Sequence, residues 1–156
     1  MTRNRKIRVI IDTNIFFSSI FFPNGNERRL LELADRGMWQ IIVCDYVLEE
    51  IQLVLERKGI NPELALNLLD TYRNIIHMGM GPEAYHDIRP LASELVSDRK
   101  DWPMFVFAKL LMENHGLTFL VSGDSDLNSE QVRKALYGRA MRAREFLEIM
   151  KAGRGE

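Results

Sequence analysis

The sequence predicts an α/β fold, a mainly parallel sheet covered by helices on both faces. Three observations predict it. Short runs rich in β-branched and apolar residues alternate with longer stretches of helical periodicity. Those short runs are apolar throughout rather than alternating, as strands buried on both faces are. Acidic residues stand where the runs end, and in open parallel sheets ligands bind beyond the carboxyl ends of the strands.

Taken in order, "KIRVIID" reads as the first buried strand. "PNGN" (23–26) is a loop, with Asn26 capping the helix "ERRLLELADRG" and Gly37 stopping it. "WQIIVC" is a second strand. "DYVLEEIQLVLERKG" is a helix with Asp45 as cap and Gly59 as stop. "NPELALNLLDTYRNIIHMG" starts on Asn61–Pro62, a cap followed by proline at the first helical position, and reads as one helix. Residues 79–90, with Gly79, Gly81, Pro82 and Pro90, read as a loop, and "SELV" as a short strand. "DWPMFVFAKLLMENHG" is a helix ending at Gly116. "TFLVSG" is a strand, "NSEQVRKAL" a short helix, "YGRAM" an edge strand and "REFLEIMKAG" a last helix.

At 156 residues the expectation is one domain over residues 1–156, with ordinary hydrophobic (46%) and charged (28%) content. A net charge of −1 argues neither for nor against a nucleic-acid partner. The lone Cys44 excludes an internal disulfide and a cysteine-based zinc site, and fits a core position in a reducing interior. The longest apolar run, "IFFSSIFF", is far short of the roughly 20 residues that span a bilayer. The basic start lacks a small-residue cleavage site and does not read as a signal peptide. A soluble, cytoplasmic protein with no membrane partner is expected.

Asp12 ends the first strand. Asp124 ends "TFLVSG", with Asp126 two residues on. If the two strands are neighbours, their carboxylates converge. On a helical projection Val47, Leu48, Ile51, Val54 and Leu55 share one stripe. Glu50 flanks that stripe, whereas Glu49 and Glu56 face solvent. Asp101 projects onto the apolar side of its helix, pointing toward the sheet. Each acid also has a plainer reading: Asp12 in a turn, Asp101 and Asp126 as caps, Glu50 as a solvated flank residue, Asp98 as a loop residue or alternative cap. Together, four inward acids on four elements repel and desolvate one another unless a cation joins them. His77, His86 and His115 read as surface or structural residues. An all-oxygen set without EF-hand spacing favours Mg²⁺ or Mn²⁺.

"VIIDTNIFFSSIF", "LEEIQLVLER", "DRKDWPMFVFA" and "FLVSGDSDL" resemble the successive motifs of PIN-domain nucleases, most closely the toxin components of type II toxin–antitoxin systems. "REFLEIM" resembles the family's closing helix, so nearly the whole chain is covered. The resemblance implies a compact three-layer α/β/α sandwich and metal-dependent endoribonuclease activity. It carries Asp12 onto the family's opening Asp-Thr-Asn, Glu50 onto its helical Glu and Asp101 onto the acid before the helix alanine, here Ala108. Asp124 falls on its Thr-Gly-Asp, with Asp126 as the next acid. Asp12, Glu50, Asp101 and Asp124 are thereby the catalytic candidates, and Asp12, Asp101, Asp124 and Asp126 the metal candidates. Asn14 and Ser122 are expected to hold carboxylates by hydrogen bonds. Ser122 replaces the usual Thr and keeps the hydroxyl. Trp102 and Pro103 depart from the smaller polar residues common there; they tilt the helix entry or put an aromatic face near the groove.

RNA requires positive charge around such a pit. Residues 1–8 carry Arg3, Arg5, Lys6 and Arg8. Residues 133–154 carry seven basic and two acidic residues. Arg139 and Arg142 are the candidate phosphate contacts. The resemblance further implies an antitoxin protein and a homodimer as partners, with the phenylalanines of "IFFSSIFF" divided between core and interface. A receiver domain would want paired acids after strand one, and a dehalogenase-type phosphotransferase Asp-x-Asp, where Asn14 stands. The alternatives kept are an RNA-processing or structure-specific nuclease unrelated to toxicity, and a catalytically weak nucleic-acid-binding module.

Overall fold

The computed structural model describes residues 6–153. Arg3, Arg5 and Arg154, part of the basic segments above, lie outside the described residues. The elements in chain order are β1 (Arg8–Ile11), α1 (Thr13–Phe21), α2 (Asn26–Asp35), β2 (Gln40–Cys44), α3 (Asp45–Arg57), α4 (Pro62–Thr71) and β3 (Ile75–Met78). They continue with α5 (Pro82–Leu95), a 3-10 turn (Arg99–Asp101), α6 (Trp102–Asn114), β4 (Thr118–Val121), α7 (Glu130–Ala135), β5 (Ala140–Met141) and α8 (Ala143–Gly153).

All strand pairs are parallel and the sheet order is β3-β2-β1-β4-β5. The chain builds outward from β1 to β3, then crosses back to β4 on the other side. The strand order therefore reverses between β1 and β4, which pair with Arg8 opposite Thr118 and Ile11 opposite Val121. That reversal is where an open parallel sheet leaves a crevice at its carboxyl edge. Right-handed crossovers send the connecting helices to opposite faces on the two sides of this point, which gives the three layers. Val9, Ile10, Ile11, Ile41 and Ile42 have no exposed surface, matching their unbroken apolar pattern.

Three expectations are corrected. The segment 61–79 is not one helix. Asn61 caps α4 as expected, accepting from the Glu63 amide at 3.0 Å, but the helix ends at Thr71. Asn74 adopts a left-handed backbone (φ 63°), its side-chain Nδ2 donates to the Ala34 carbonyl (2.9 Å) and its backbone carbonyl accepts from the Ile41 amide (2.8 Å). The chain thereby turns onto the free edge of β2 and becomes β3. Residues 79–90 are not a loop: Pro82 opens α5. "SELV" closes that helix instead of forming a strand. Ile88, Leu91, Ala92 and Leu95 recur at helical spacing and pack on the core, outweighing the interior Pro90. Pro90 sits on the exposed side, where water can serve the carbonyl that its missing N–H leaves unpaired. Smaller shifts place Asn26 and Asp45 as first residues of their helices rather than as caps. Gly37 and Gly59 do follow α2 and α3 with positive φ (89° and 70°), as helix stops require.

α8 closes one face of the sheet. Phe146 is fully buried and meets Trp39 and Phe119 edge-on, with ring centroids 4.9 and 5.3 Å apart. Trp39 is fixed by its indole N–H donating to Leu30 in α2 (3.0 Å). Phe146→Ala is expected to cost about 3–5 kcal/mol of stability, read from the midpoint of urea unfolding. A loss below about 1 kcal/mol would show that α8 contributes little to the fold.

Candidate active site

Asp12 leaves β1 and at once caps α1. Its Oδ1 accepts from the Ile15 amide at 2.9 Å. Its Oδ2 accepts from the hydroxyl of Ser122, at the end of the neighbouring β4. The Ser122 oxygen in turn accepts from the Asp124 amide (3.0 Å). One buried hydroxyl thus joins the two carboxyl ends at the reversal point and sets Asp12 beside Asp124. Burial pushes the Asp12 carboxyl above its usual range. The two hydrogen bonds oppose that shift, and Asp124 and Glu50 add to it.

Glu50 is half-buried on α3, while Glu49 and Glu56 are exposed, as the projection expects. The hydroxyl of Thr13 donates to Glu50 Oε2 at 3.0 Å, tying α1 to α3. Asp101 ends the 3-10 turn and takes the N-cap position of α6, but its side chain makes no capping hydrogen bond. Its Oδ2 is buried without a hydrogen-bond partner. Desolvation first, then repulsion from Asp124 and Asp98, pushes its carboxyl up to about 7. Tyr46 on α3 donates its hydroxyl to the Lys100 carbonyl (2.8 Å) and so fastens the Asp101 turn to the helix that carries Glu50. Burial, followed by Glu50 and Asp101, pushes that phenol up to about 12.

Asp12, Glu50, Asp101 and Asp124 all line one pit of about 120 Å³, with Tyr46 and Lys100 on its wall. Asp126 does not line it. Its amide donates to Asp124 Oδ1 (2.7 Å), and its carboxylate groups with Asp98 and Asp101, each offering an oxygen within 4.8 Å of the others. Asp101 is therefore shared between the pit and this flanking trio. The loop after β4 is held from below: Asn128 donates to the carbonyls of Ser122 and Asp124 (both 2.8 Å), and Arg133 braces Asn128 (3.1 Å) against Glu145 (2.7 Å).

Asn14, expected to support a carboxylate, lines the pit but is exposed, and among the described residues its side chain makes no hydrogen bond. Thr13, one residue earlier, does that work. Thr13, Tyr46 and Lys100 are additions to the sequence reading, and Asp98, expected as a loop residue or alternative cap, caps the 3-10 turn by accepting from the Lys100 amide (3.2 Å) and also faces Asp101 and Asp126. The hydroxyl beside Asp12 and the Asp98–Asp101 spacing of one helical turn are the signals that point to Thr13 and Asp98. Arg142 donates to the Gly123 carbonyl at 2.7 Å and stands at the acid edge. Arg139 does not: it precedes β5 and bonds the Gly116 carbonyl ahead of β4, at the opposite edge of the sheet. Its place as a phosphate contact beside the acids is withdrawn. All three histidines are exposed and none lines the pit.

The donors fit a hard divalent cation. They are carboxylate oxygens alone, one buried oxygen lacks any partner, and burial, followed by repulsion from neighbouring acids, raises the proton affinity of Asp12 and Asp101.

Residues 8–126 match the sequence profile of the PIN domain. The chain belongs to this family, whose members are nucleases. No curated protein matches the sequence. Among solved structures, a chain in the crystal structure of VapBC2 from Rickettsia felis bound to a DNA fragment from their promoter shares 18% identity and superposes with a TM-score of 0.60. The match covers 87% of the present chain and 98% of that chain, and shows a common fold.

A raised carboxyl makes a signed prediction. With its folded pKa of about 7 above the ordinary 3.8, Asp101 holds its proton more tightly folded than unfolded. The metal-free protein therefore loses stability as pH rises from about 4 to about 7. Asp101→Asn flattens part of that decline and raises the thermal midpoint at pH 8, measured in chelator. An unchanged pH profile would show that Asp101 is not strained.

Proposed function

We propose that this PIN-domain protein is a divalent-metal-dependent endoribonuclease that hydrolyses phosphodiester bonds of single-stranded RNA, and that it is toxin-like in kind. The observation that carries the reading is the meeting of Asp12, Glu50, Asp101 and Asp124 in one pit at the strand-order reversal.

Asp12, Asp101 and Asp124 would hold Mg²⁺ or Mn²⁺, with Asp126 approaching from the Asp101 side. When bound, the ion activates water and neutralises charge at the phosphorus. Ser122 fixes the Asp12 carboxylate so that its direction does not change as charge develops. Thr13 engages Glu50 Oε2, and Glu50 Oε1 would orient the attacking water and accept its proton. In-line attack leaves a 5′-phosphate and a 3′-hydroxyl. Lys100 on the wall of the pit and Arg142 at its edge would offset the negative charge that an RNA backbone meets there.

The toxin-like reading is supported by the likeness to a chain of the Rickettsia felis VapBC2 assembly. It brings with it an antitoxin protein as partner and a homodimer, and Phe21 and Phe22, 54% and 64% exposed at the end of α1, are apolar surface available to one of them. No helix among the described residues is long and apolar enough to cross a membrane, which is compatible with work in the cytoplasm.

Purified protein incubated with end-labelled single-stranded RNA is expected to cut it in Mn²⁺ or Mg²⁺ and not in chelator, and Asp12→Asn to cut at background. Full cleavage by Asp12→Asn would refute the assignment. No cleavage by the wild type in either metal would favour a binding module on this fold. Ser122→Ala, which leaves every carboxylate in place, is expected to lower the rate by roughly 10- to 100-fold, read as single-turnover cleavage. An unchanged rate would remove Ser122 from the machinery.

A further inference from the structure

Beside the acid pit lies a second cleft, of about 300 Å³, lined by His86, Arg89, Pro90, Ser93 and Trp102. The first four lie on one face of α5, at i, i+3, i+4 and i+7. Trp102 forms the opposite wall. Its indole N–H donates to the Val96 carbonyl at 2.8 Å, which fixes the ring. The guanidinium carbons of Arg89 and Arg99 each lie 5.8 Å from the ring centroid. Among the described residues neither guanidinium lies within ion-pair distance of a carboxylate, and no acid lines the cleft. Two unneutralised cations and a rigid aromatic face are thus held together at the surface.

Their position gives this cluster a use. Trp102 follows Asp101 in the chain, so cleft and pit share a peptide bond. A strand lying on the carboxylates would therefore have the indole within reach. Fixed aromatic faces flanked by arginines are how proteins hold single-stranded nucleic acid without reading its sequence, the base stacking on the ring and the cations tracking the backbone. The cleft is too small for a folded element and of a size for one base.

We propose that this cleft is a nucleotide subsite. One base of a single-stranded RNA stacks on Trp102 as Arg89 and Arg99, which lie over the ring in the free protein, swing out to the adjoining phosphates, so that the neighbouring phosphodiester is carried over the pit. The inference rests on the ribonuclease reading and names where its substrate lies.

Binding is measured on the 156-residue chain in chelator, where no cutting occurs, with a fluorescein-labelled oligouridylate. Trp39 is buried, so quenching of tryptophan emission on titration reports Trp102. Quenching is expected in the wild type and absent in Trp102→Phe. Trp102→Leu is expected to weaken binding about tenfold. The surface variant Arg89→Ala/Arg99→Ala, which spares the core, is expected to flatten the dependence of log affinity on log salt by roughly 0.7 per arginine. Unchanged affinity, salt slope and quenching in a protein that still cuts RNA with metal would overturn the subsite alone. Absence of both RNA binding and metal-dependent cutting in the wild type would overturn the ribonuclease reading and the subsite with it. Quenching by polyglutamate but not by RNA would mark the cleft as a protein-docking surface and overturn the proposal.

Discussion

The hydrogen bond from Ser122 to Asp12 joins the ends of β1 and β4 at the one place where the sheet changes direction. Two parallel strands leave their last backbone groups side by side there, and the chain goes opposite ways from each. Asp12 answers one half of this by capping α1. Ser122 answers the other by receiving the Asp124 amide while it donates to Asp12. The same contacts that finish the strands therefore fix two carboxylates against each other. A hydrophobic strand ends in an acid because the acid caps the helix that follows, and the same carboxylate lines the pit where we propose a cation binds.

The other two acids are brought in by helices, and each has its own tether. Thr13 reaches Glu50 from the start of α1, and Tyr46 ties the turn bearing Asp101 to α3. These tethers work against electrostatics, since every carboxylate that approaches raises the cost of keeping the others ionised. The protein accepts that cost in an asymmetric way. Asp12 has two donors to stabilise its charge, while Asp101 leaves one oxygen buried and unmatched. A fold selected for stability alone would satisfy or remove that oxygen. Its retention is what a site organised around a bound cation looks like.

Most of this arrangement was legible where local pattern and tertiary structure agree. The apolar, β-branched run through Val9–Ile11 reads as a strand buried on both faces, which places Asp12 at its carboxyl end. Glu50 was separable from Glu49 because α3 has a clean apolar stripe. Legibility failed where a local signal was outweighed from a distance. Pro90 and two glycines masked the stripe of α5, which forms because Ala92 and its neighbours have a core to pack on. β3 exists because β2 had an open edge, a fact absent from residues 75–78 themselves. Arg139 and Arg142 are three residues apart, yet the two-residue β5 between them carries one to each edge of the sheet. Asp126 followed Asp124 closely in sequence but turned toward Asp98, because the loop after β4 is folded back by Asn128.

The central claim is that these carboxylates form one cation site. The direct test is a crystal of the protein soaked in Mn²⁺, with data collected for the anomalous signal of the metal. A peak is expected in the pit, in contact with carboxylate oxygens of Asp12, Asp101 and Asp124, and absent from crystals of Asp12→Asn. A peak confined to Asp98 and Asp126, or no peak at saturating Mn²⁺, would contradict the claim.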